Sequence, residues 1–218
     1  MLEYQRERVA AAARDLAADG LVLGTAGNVS ERHGERIAIT PTGAVLATLD
    51  AVDVAVIDLQ GAHLDGPWGP TSELALHLGT YRRYGAGAVV HAHAPVSTAL
   101  ACVLDELPAV HYQMIALGGP VRVARYATFG TEELAAVTLD GLEDRTAVLM
   151  ANHGTLTYGD DLPTATARTR LLEWVAGVYW RAASLGPPRT LDAAQLDAVG
   201  DQLAARQYRS RLGSRAPR

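Results

Sequence analysis

The sequence contains one cysteine (Cys102), one phenylalanine and no lysine. A lone cysteine cannot build an internal disulfide framework, which fits a reducing compartment. Without lysine, no Schiff-base chemistry is implied, and the positive charge is arginine throughout. No apolar run approaches the roughly 20 residues that span a bilayer. The start, Met1-Leu2-Glu3-Tyr4-Gln5-Arg6-Glu7-Arg8, carries charges where a signal peptide needs an apolar segment. The expectation is a cytoplasmic protein without a membrane partner. Basic residues are also outnumbered, 19 against 24 acidic, and the net charge of −5 argues against nucleic acid as a partner.

Apolar material is plentiful. The 218 residues are 49% hydrophobic, enough for one well-formed core. Residues 3–18 repeat apolar and small side chains at three-to-four spacing and stop at Gly20, a helix pattern. Strands are expected at 29–33, 36–40, 54–59, 121–126 and 146–151, and through the run Val89-Val90-His91-Ala92-His93. Further helices are expected from Thr71-Ser72-Glu73 to Tyr84, then over 95–104, 131–142, 163–185 and 191–208. Glycine- and proline-rich breaks such as Gly66-Pro67-Trp68-Gly69-Pro70 are too short to be domain linkers. Mixed helices and strands around one core indicate a single α/β domain over 1–210, followed by a basic tail at 211–218.

The chemistry starts in the run at 89–93. Alternate side chains of a strand share a face, so His91 and His93 aim two neutral nitrogen ligands at one point. A histidine in an apolar strand is ordinarily a hydrogen-bonded core residue, and His-x-His alone does not establish a metal site. His153 adds a third imidazole at the end of another apolar run, and Glu73 adds a carboxylate near a helix start. Together they match a tetrahedral zinc-type set with one position that can open. His33 and His63 sit in polar turns and read as surface residues. His77, one helical turn beyond Glu73, could support that site or simply be half-buried, and His111 is ambiguous.

Thr71-Ser72-Glu73 is ordinarily an N-cap, but a helix start is also an anion site. Gly24-Thr25-Ala26-Gly27-Asn28 can form a backbone nest, and Thr42-Gly43 offers an N–H and a hydroxyl. Each is common turn chemistry. Beside a metal set they suggest a phosphorylated substrate that reaches from anion pocket to metal.

These segments, with Thr40-Pro41-Thr42-Gly43, 108–119, Tyr126-Ala127-Thr128-Phe129-Gly130 and Asn152-His153-Gly154, resemble the class II aldolase/adducin head family in order and spacing. Its sugar-phosphate aldolase branch is the nearest match, from residue 1 to about 210. The resemblance implies a single-domain, three-layer α/β/α fold with a mainly antiparallel central sheet. It also implies a homotetramer with active sites at subunit contacts. By match, His91, His93 and His153 would bind zinc or another divalent metal, with Glu73 as fourth ligand when substrate is absent. Gly27, Asn28, Thr42, Gly43, Thr71 and Ser72 would hold the phosphate. Thr71 and Ala26 stand where aldolase relatives commonly have serine; the second change removes a hydroxyl. Tyr112 matches a tyrosine thought to exchange a proton with the aldehyde oxygen across the interface. Tyr208 more loosely matches one on the C-terminal segment, and also reads as an ordinary aromatic of an amphipathic helix.

The implied activity is reversible cleavage of a ketose 1-phosphate, like L-fuculose 1-phosphate, to dihydroxyacetone phosphate and an aldehyde. The metal would act as Lewis acid for the charge released, and Glu73 would shuttle the C3 proton. Three rival readings share the fold: a pentulose-phosphate epimerase, a methylthioribulose-1-phosphate dehydratase and a non-catalytic adducin-like module. The epimerase branch usually has an aspartate at the position of Glu73, and adducin-like heads have generally lost the metal ligands. Arg206, Arg209, Arg211, Arg215 and Arg218 read as a solvated tail.

Overall fold

Ala88–Ala92 forms strand β5, buried on both faces, because its alternate residues find separate cores. Ala88, Val90 and Ala92 pack to one side, while Val89 packs to the other. In the computed structural model, which describes the backbone of residues 1–213 and side chains through Arg206, β5 is the middle strand of a nine-stranded sheet. The other strands among the described residues are β1 (Asn28–His33), β2 (Arg36–Ile39), β3 (Ala55–Asp58), β4 (His63–Asp65), β6 (Glu106–Leu107), β7 (Val121–Ala124), β8 (Ala147–Met150) and β9 (Gly154–Gly159). Their order is β4-β3-β2-β1-β5-β9-β8-β7-β6. Every pair is antiparallel except β7 with β8. The mainly antiparallel sheet implied by the family resemblance is therefore present.

Helices cover both faces. α1 (Glu3–Ala18) and the start of α5 (Leu162–Leu185) pack Val9, Ala13, Leu16 and Ala165 onto Val29, Ala38 and Val90. Further along the same side, α3 (Pro95–Ala101), the middle of α5 and Leu196 of α6 (Ala193–Gly213) cover Ala147, Leu149 and Val121. On the opposite face α2 (Leu74–Tyr84) and α4 (Glu132–Gly141) bury Leu76, Tyr81 and Leu134 against Ile37, Val89, Val148 and Leu156. The period-2 split of β8, with Ala147 and Leu149 to one side and Val148 and Met150 to the other, makes the three layers possible.

Four features differ from the sequence reading. β9 occupies residues 154–159, where no strand is expected from the sequence, since its terminal glycines look like turn residues. They are glycines because the strand runs close to its neighbours. A Cβ on Gly154 would collide with the Ala92 carbonyl, and one on Gly159 would lie 2.7 Å from the Ala165 nitrogen. His63 lies on β4 rather than in a turn and is exposed, as is His33 at the end of β1. The strand through His91 stops at Ala92, and the His93 N–H instead donates to the Leu21 carbonyl at 3.0 Å. The tail expected at 211–218 falls partly in α6 and partly, at 214–218, outside the described residues.

Candidate active site

His91 and His93 leave the end of β5 on the face that α2 covers, and the ring of His91 is completely buried. His153 reaches them from the tight turn between β8 and β9. There Asn152 takes a left-handed backbone (φ 53°), a conformation asparagine tolerates better than most side chains. The glycine at 154 leaves room for the His93 ring, whose Cδ2 would be 3.1 Å from an added Cβ. The ring centroids of the three imidazoles are 4.8, 4.9 and 5.0 Å apart. Their ligand atoms all lie within 4.8 Å of one another.

Glu73 occupies the N-cap position of α2 but does not cap it. The expected capping role of Thr71 and Ser72 is not seen; the Thr71 hydroxyl accepts instead from the Glu73 N–H at 3.3 Å. The Glu73 carboxylate turns into the imidazole cluster, with Oε2 3.1 Å from His91 Nε2 and Oε1 3.3 Å from His153 Nε2. The side chain is pulled out of its local role by this tertiary contact.

The donor set fits a cation. His91 Nδ1 lies 2.8 Å from the Thr155 carbonyl, which can only accept, so the proton sits on Nδ1. In the neutral ring Nε2 is then a bare lone pair, yet it lies 3.1 Å from the carboxylate oxygen Glu73 Oε2. Electron-rich atoms at this separation repel unless positive charge stands among them. Glu73 Oε1 is buried and has no hydrogen-bond partner. Burial, reinforced by His91 and His153, pushes the His93 imidazole down to about 4. Burial and then His91 also lower His153. Burial raises Glu73, but the contacts from His91 and Asn28 and the charge of His153 outweigh it and hold the carboxyl at about 2. Deprotonated nitrogen and carboxylate ligands at neutral pH are what a divalent metal requires.

The cluster opens into a cleft of about 250 Å³. All six residues expected at a phosphate site, Gly27, Asn28, Thr42, Gly43, Thr71 and Ser72, line it together with Glu73, His93 and His153. None of the lining residues is an arginine, so an anion there would meet the N-terminal end of α2 and the histidine cluster. Gly27 has φ 87°, and a Cβ there would lie 2.8 Å from Val22 Cγ1 and 2.9 Å from the His91 carbonyl. Beyond the histidines a second depression of about 310 Å³ is bounded by His93, His153, Asn152, Tyr126, Ala127 and Phe129. Tyr112 lies elsewhere. It is 51% exposed, begins the 3-10 turn Tyr112–Leu117, and packs on His111 at 4.6 Å. The side chain of Tyr208 lies outside the described residues.

The sequence model described as "Class II Aldolase and Adducin N-terminal domain" matches residues 7–180. The chain belongs to this family. It is 37% identical over 201 residues to a 5-deoxy-D-ribulose 1-phosphate aldolase of Bacillus thuringiensis, covering 90% of this chain and 94% of the relative. A 5-methylthioribulose-1-phosphate/5-deoxyribulose-1-phosphate aldolase of Rhodospirillum rubrum is 41% identical over 190 residues, 86% of each chain. The solved structure of an L-fuculose 1-phosphate aldolase superposes with a TM-score of 0.88 at 33% identity, covering 92% of this chain and 96% of that one. The chain is accordingly an enzyme of the aldolase, or lyase, class. It carries a histidine cluster able to hold a metal ion.

Within this class II aldolase scaffold, the supporting place offered for His77 is the one it takes, but the sequence reading missed Ser30 and Tyr81 behind it. His77 is not half-buried but wholly enclosed, as is Ser30, and Tyr81 is 2% exposed. A signal for them existed. Glu73, His77 and Tyr81 recur every four residues, which is one helix face, and Asn28 and Ser30 alternate onto one strand face. The two patterns belong to one site only because α2 lies across β1.

Proposed function

We propose that this enzyme is a zinc-dependent aldolase that reversibly cleaves a ketose 1-phosphate to dihydroxyacetone phosphate and an aldehyde. The observation that carries the reading is that the phosphate-type loops line one cleft with Glu73, His93 and His153, while the buried His91 closes the ligand set from behind, 3.1 Å from Glu73 and 3.0 Å from His93. His91, His93 and His153 would hold zinc with Glu73 as fourth ligand. The ion supplies a Lewis acid for the negative charge that develops on the substrate's C2 oxygen. Gly27, Asn28, Thr42, Gly43, Thr71 and Ser72 would cradle the phosphate. Cleavage takes the proton from the C4 hydroxyl, breaks the C3–C4 bond and leaves its electron pair on the three-carbon fragment as an enediolate. Glu73, freed from its contacts with the histidines, takes up one proton in exchange for the one lost from the C4 hydroxyl and delivers it to C3, so that the cleavage is proton-neutral overall.

Tyr112 would exchange the hydroxyl proton in the cleft of a neighbouring copy. Its exposure and its absence from the lining of its own chain's cleft support a role between copies, which this reading takes to be those of a homotetramer. The depression past the histidines is walled by Tyr126, Ala127 and Phe129, which favours an aldehyde with an apolar end. The names of the two sequence relatives describe such substrates, with a deoxy or methylthio C5. On this reading residues 1–210 form a cytoplasmic catalytic domain with a basic tail at 211–218. No described helix is long and apolar enough to cross a membrane.

A panel of ketose 1-phosphates, assayed by coupled detection of dihydroxyacetone phosphate with and without chelator, tests the proposal. The expected result is chelator-sensitive release, greatest with 5-deoxypentulose phosphates. Glu73→Gln should keep its zinc yet lose about 10²–10⁴-fold in rate, the usual worth of a general acid–base. A single dehydrated diketone phosphate as product, or full activity of the Gln variant, would overturn it.

A further inference from the structure

Behind the cleft runs an unbroken file of buried polar contacts. Tyr81 Oη is 2.6 Å from Ser30 Oγ, which is 2.7 Å from His77 Nδ1. His77 Nε2 is 2.5 Å from Asn28 Oδ1, and Asn28 Nδ2 donates to Glu73 Oε2 at 2.9 Å. Every member is at most 7% exposed. Resting on the reading of Glu73 as the proton-carrying carboxylate, we propose that His77 is a positioning residue. Through Ser30 and Tyr81 on one side and the Asn28 amide on the other, it clamps Glu73 Oε2 and leaves Oε1 as the working oxygen.

The direction of every bond follows from donor and acceptor capacity. An ionised carboxylate only accepts, so Asn28 presents its NH₂ to Glu73 and its carbonyl oxygen to His77. His77 Nε2 must then carry the ring proton, and its Nδ1 must accept. Ser30 therefore donates to His77 and accepts from the Tyr81 hydroxyl. Reversing any one bond puts Asn28 Oδ1 against Glu73 Oε2, two acceptors facing each other in a water-free interior. An isolated asparagine can flip its amide at little cost. This one is held because a flipped NH₂ would face the His77 Nε2–H. Burial keeps the ring neutral, so His77 can hold that single tautomer.

The file orients Glu73 but does not conduct protons to it, because an amide passes a proton only by way of its imidic acid form. The result is an asymmetric carboxylate. Oε2 has a fixed donor, and Oε1 has no hydrogen-bond partner despite being buried. Oε1 is thus the more basic oxygen, suited to take and return a substrate proton.

His77→Phe keeps the ring volume and deletes both nitrogens, while His77→Gln retains an N–H that can reach Asn28. Zinc affinity, read by chelator competition without substrate, should fall about 10–100-fold in the Phe variant, the usual cost of losing a partner behind a ligand, and recover in the Gln variant. On the best substrate of the panel, kcat should fall by a similar factor with KM nearly unchanged, because His77 does not line the cleft. Nitrogen-detected NMR of wild-type protein should show the Nε2–H tautomer of His77, without titration between about pH 5 and 8, with and without zinc. Should His77→Phe not fold, Ser30→Ala and Tyr81→Phe each delete one hydroxyl and should move zinc affinity the same way, less far. An Nδ1–H tautomer, or unchanged zinc affinity and kcat in folded His77→Phe, would overturn the positioning role. Failure of the aldolase reading looks different. Wild type would then be inactive on the whole panel, while the zinc and NMR results would still decide the role of His77.

Discussion

At the scale of the residue, the site turns on which nitrogen of each imidazole keeps its proton. His91 gives its Nδ1–H to the Thr155 carbonyl and so offers Nε2 to a metal, whereas His77 spends both nitrogens on protein partners. The second ring leaves a thermodynamic trace. Burial first, and then the charge of His91, push His77 down to about 3 from an ordinary 6.5, while Glu73 opposes them weakly. As pH falls through 6.5 the unfolded chain takes up a proton that the folded chain refuses until near 3. Stability present above 6.5 is therefore lost progressively across that window, by up to about 1.4 kcal/mol per pH unit for this group. His93, held at about 4, acts with the same sign when metal is absent. Urea unfolding of metal-free protein from about pH 7 down to about pH 5 should show the decline. The decline should be shallower in His77→Gln, and an identical slope in the two proteins would show that His77 titrates freely in the folded state.

At the scale of the element, the exit of β5 is held by a cap borrowed from another helix. α3 begins two residues after His93 with Pro95 and has no capping side chain of its own. Glu173 of α5 takes the role, accepting from the Val96 N–H at 2.9 Å, the Ser97 N–H at 2.8 Å and the Ser97 hydroxyl at 2.7 Å. Charge-assisted bonds at a helix start are among the stronger kind. Glu173→Ala should cost about 1–3 kcal/mol, measured as a shift of urea midpoint at constant slope. Glu173→Gln, keeping one acceptor, should cost less. Zinc content should stay at the wild-type level in both, because the cap lies outside the ligand cluster. A loss below about 0.5 kcal/mol in the Ala variant would mean that water replaces the carboxylate there without penalty.

At the scale of the whole molecule, the four side chains proposed as ligands join parts of the fold that are far apart in sequence. Glu73 comes from the start of α2, His91 and His93 from β5, and His153 from the β8–β9 turn. An ion bound among them exists only in the folded state, so its affinity adds to stability by mass action. At free zinc about 100-fold above its dissociation constant the gain should be about 2.7 kcal/mol. Thermal melts with zinc and with excess chelator should differ accordingly, and in His91→Ala the difference should largely vanish. Equal melting temperatures for the wild type under both conditions would mean that the cluster holds no ion.

The sequence by itself determined which side chains could serve chemistry and which face each would take. The two-residue spacing of His91 and His93 decides their common face before any tertiary contact exists, and four-residue spacing does the same for Glu73, His77 and Tyr81. Most helices and strands were legible for the same reason, since period follows from backbone geometry. β9 was not legible. Its glycines are required by the approach of β5 and α5, and nothing local distinguishes them from turn residues. Only the tertiary structure decided that Glu73 abandons its cap for the imidazoles, and that the Asn28 amide, expected at a phosphate, is also engaged by Glu73 and His77. The physical reason is common to both. A hydrogen-bond partner some fifty residues distant leaves no periodicity in the chain, and which partner wins depends on which groups lose water together when α2 settles onto β1.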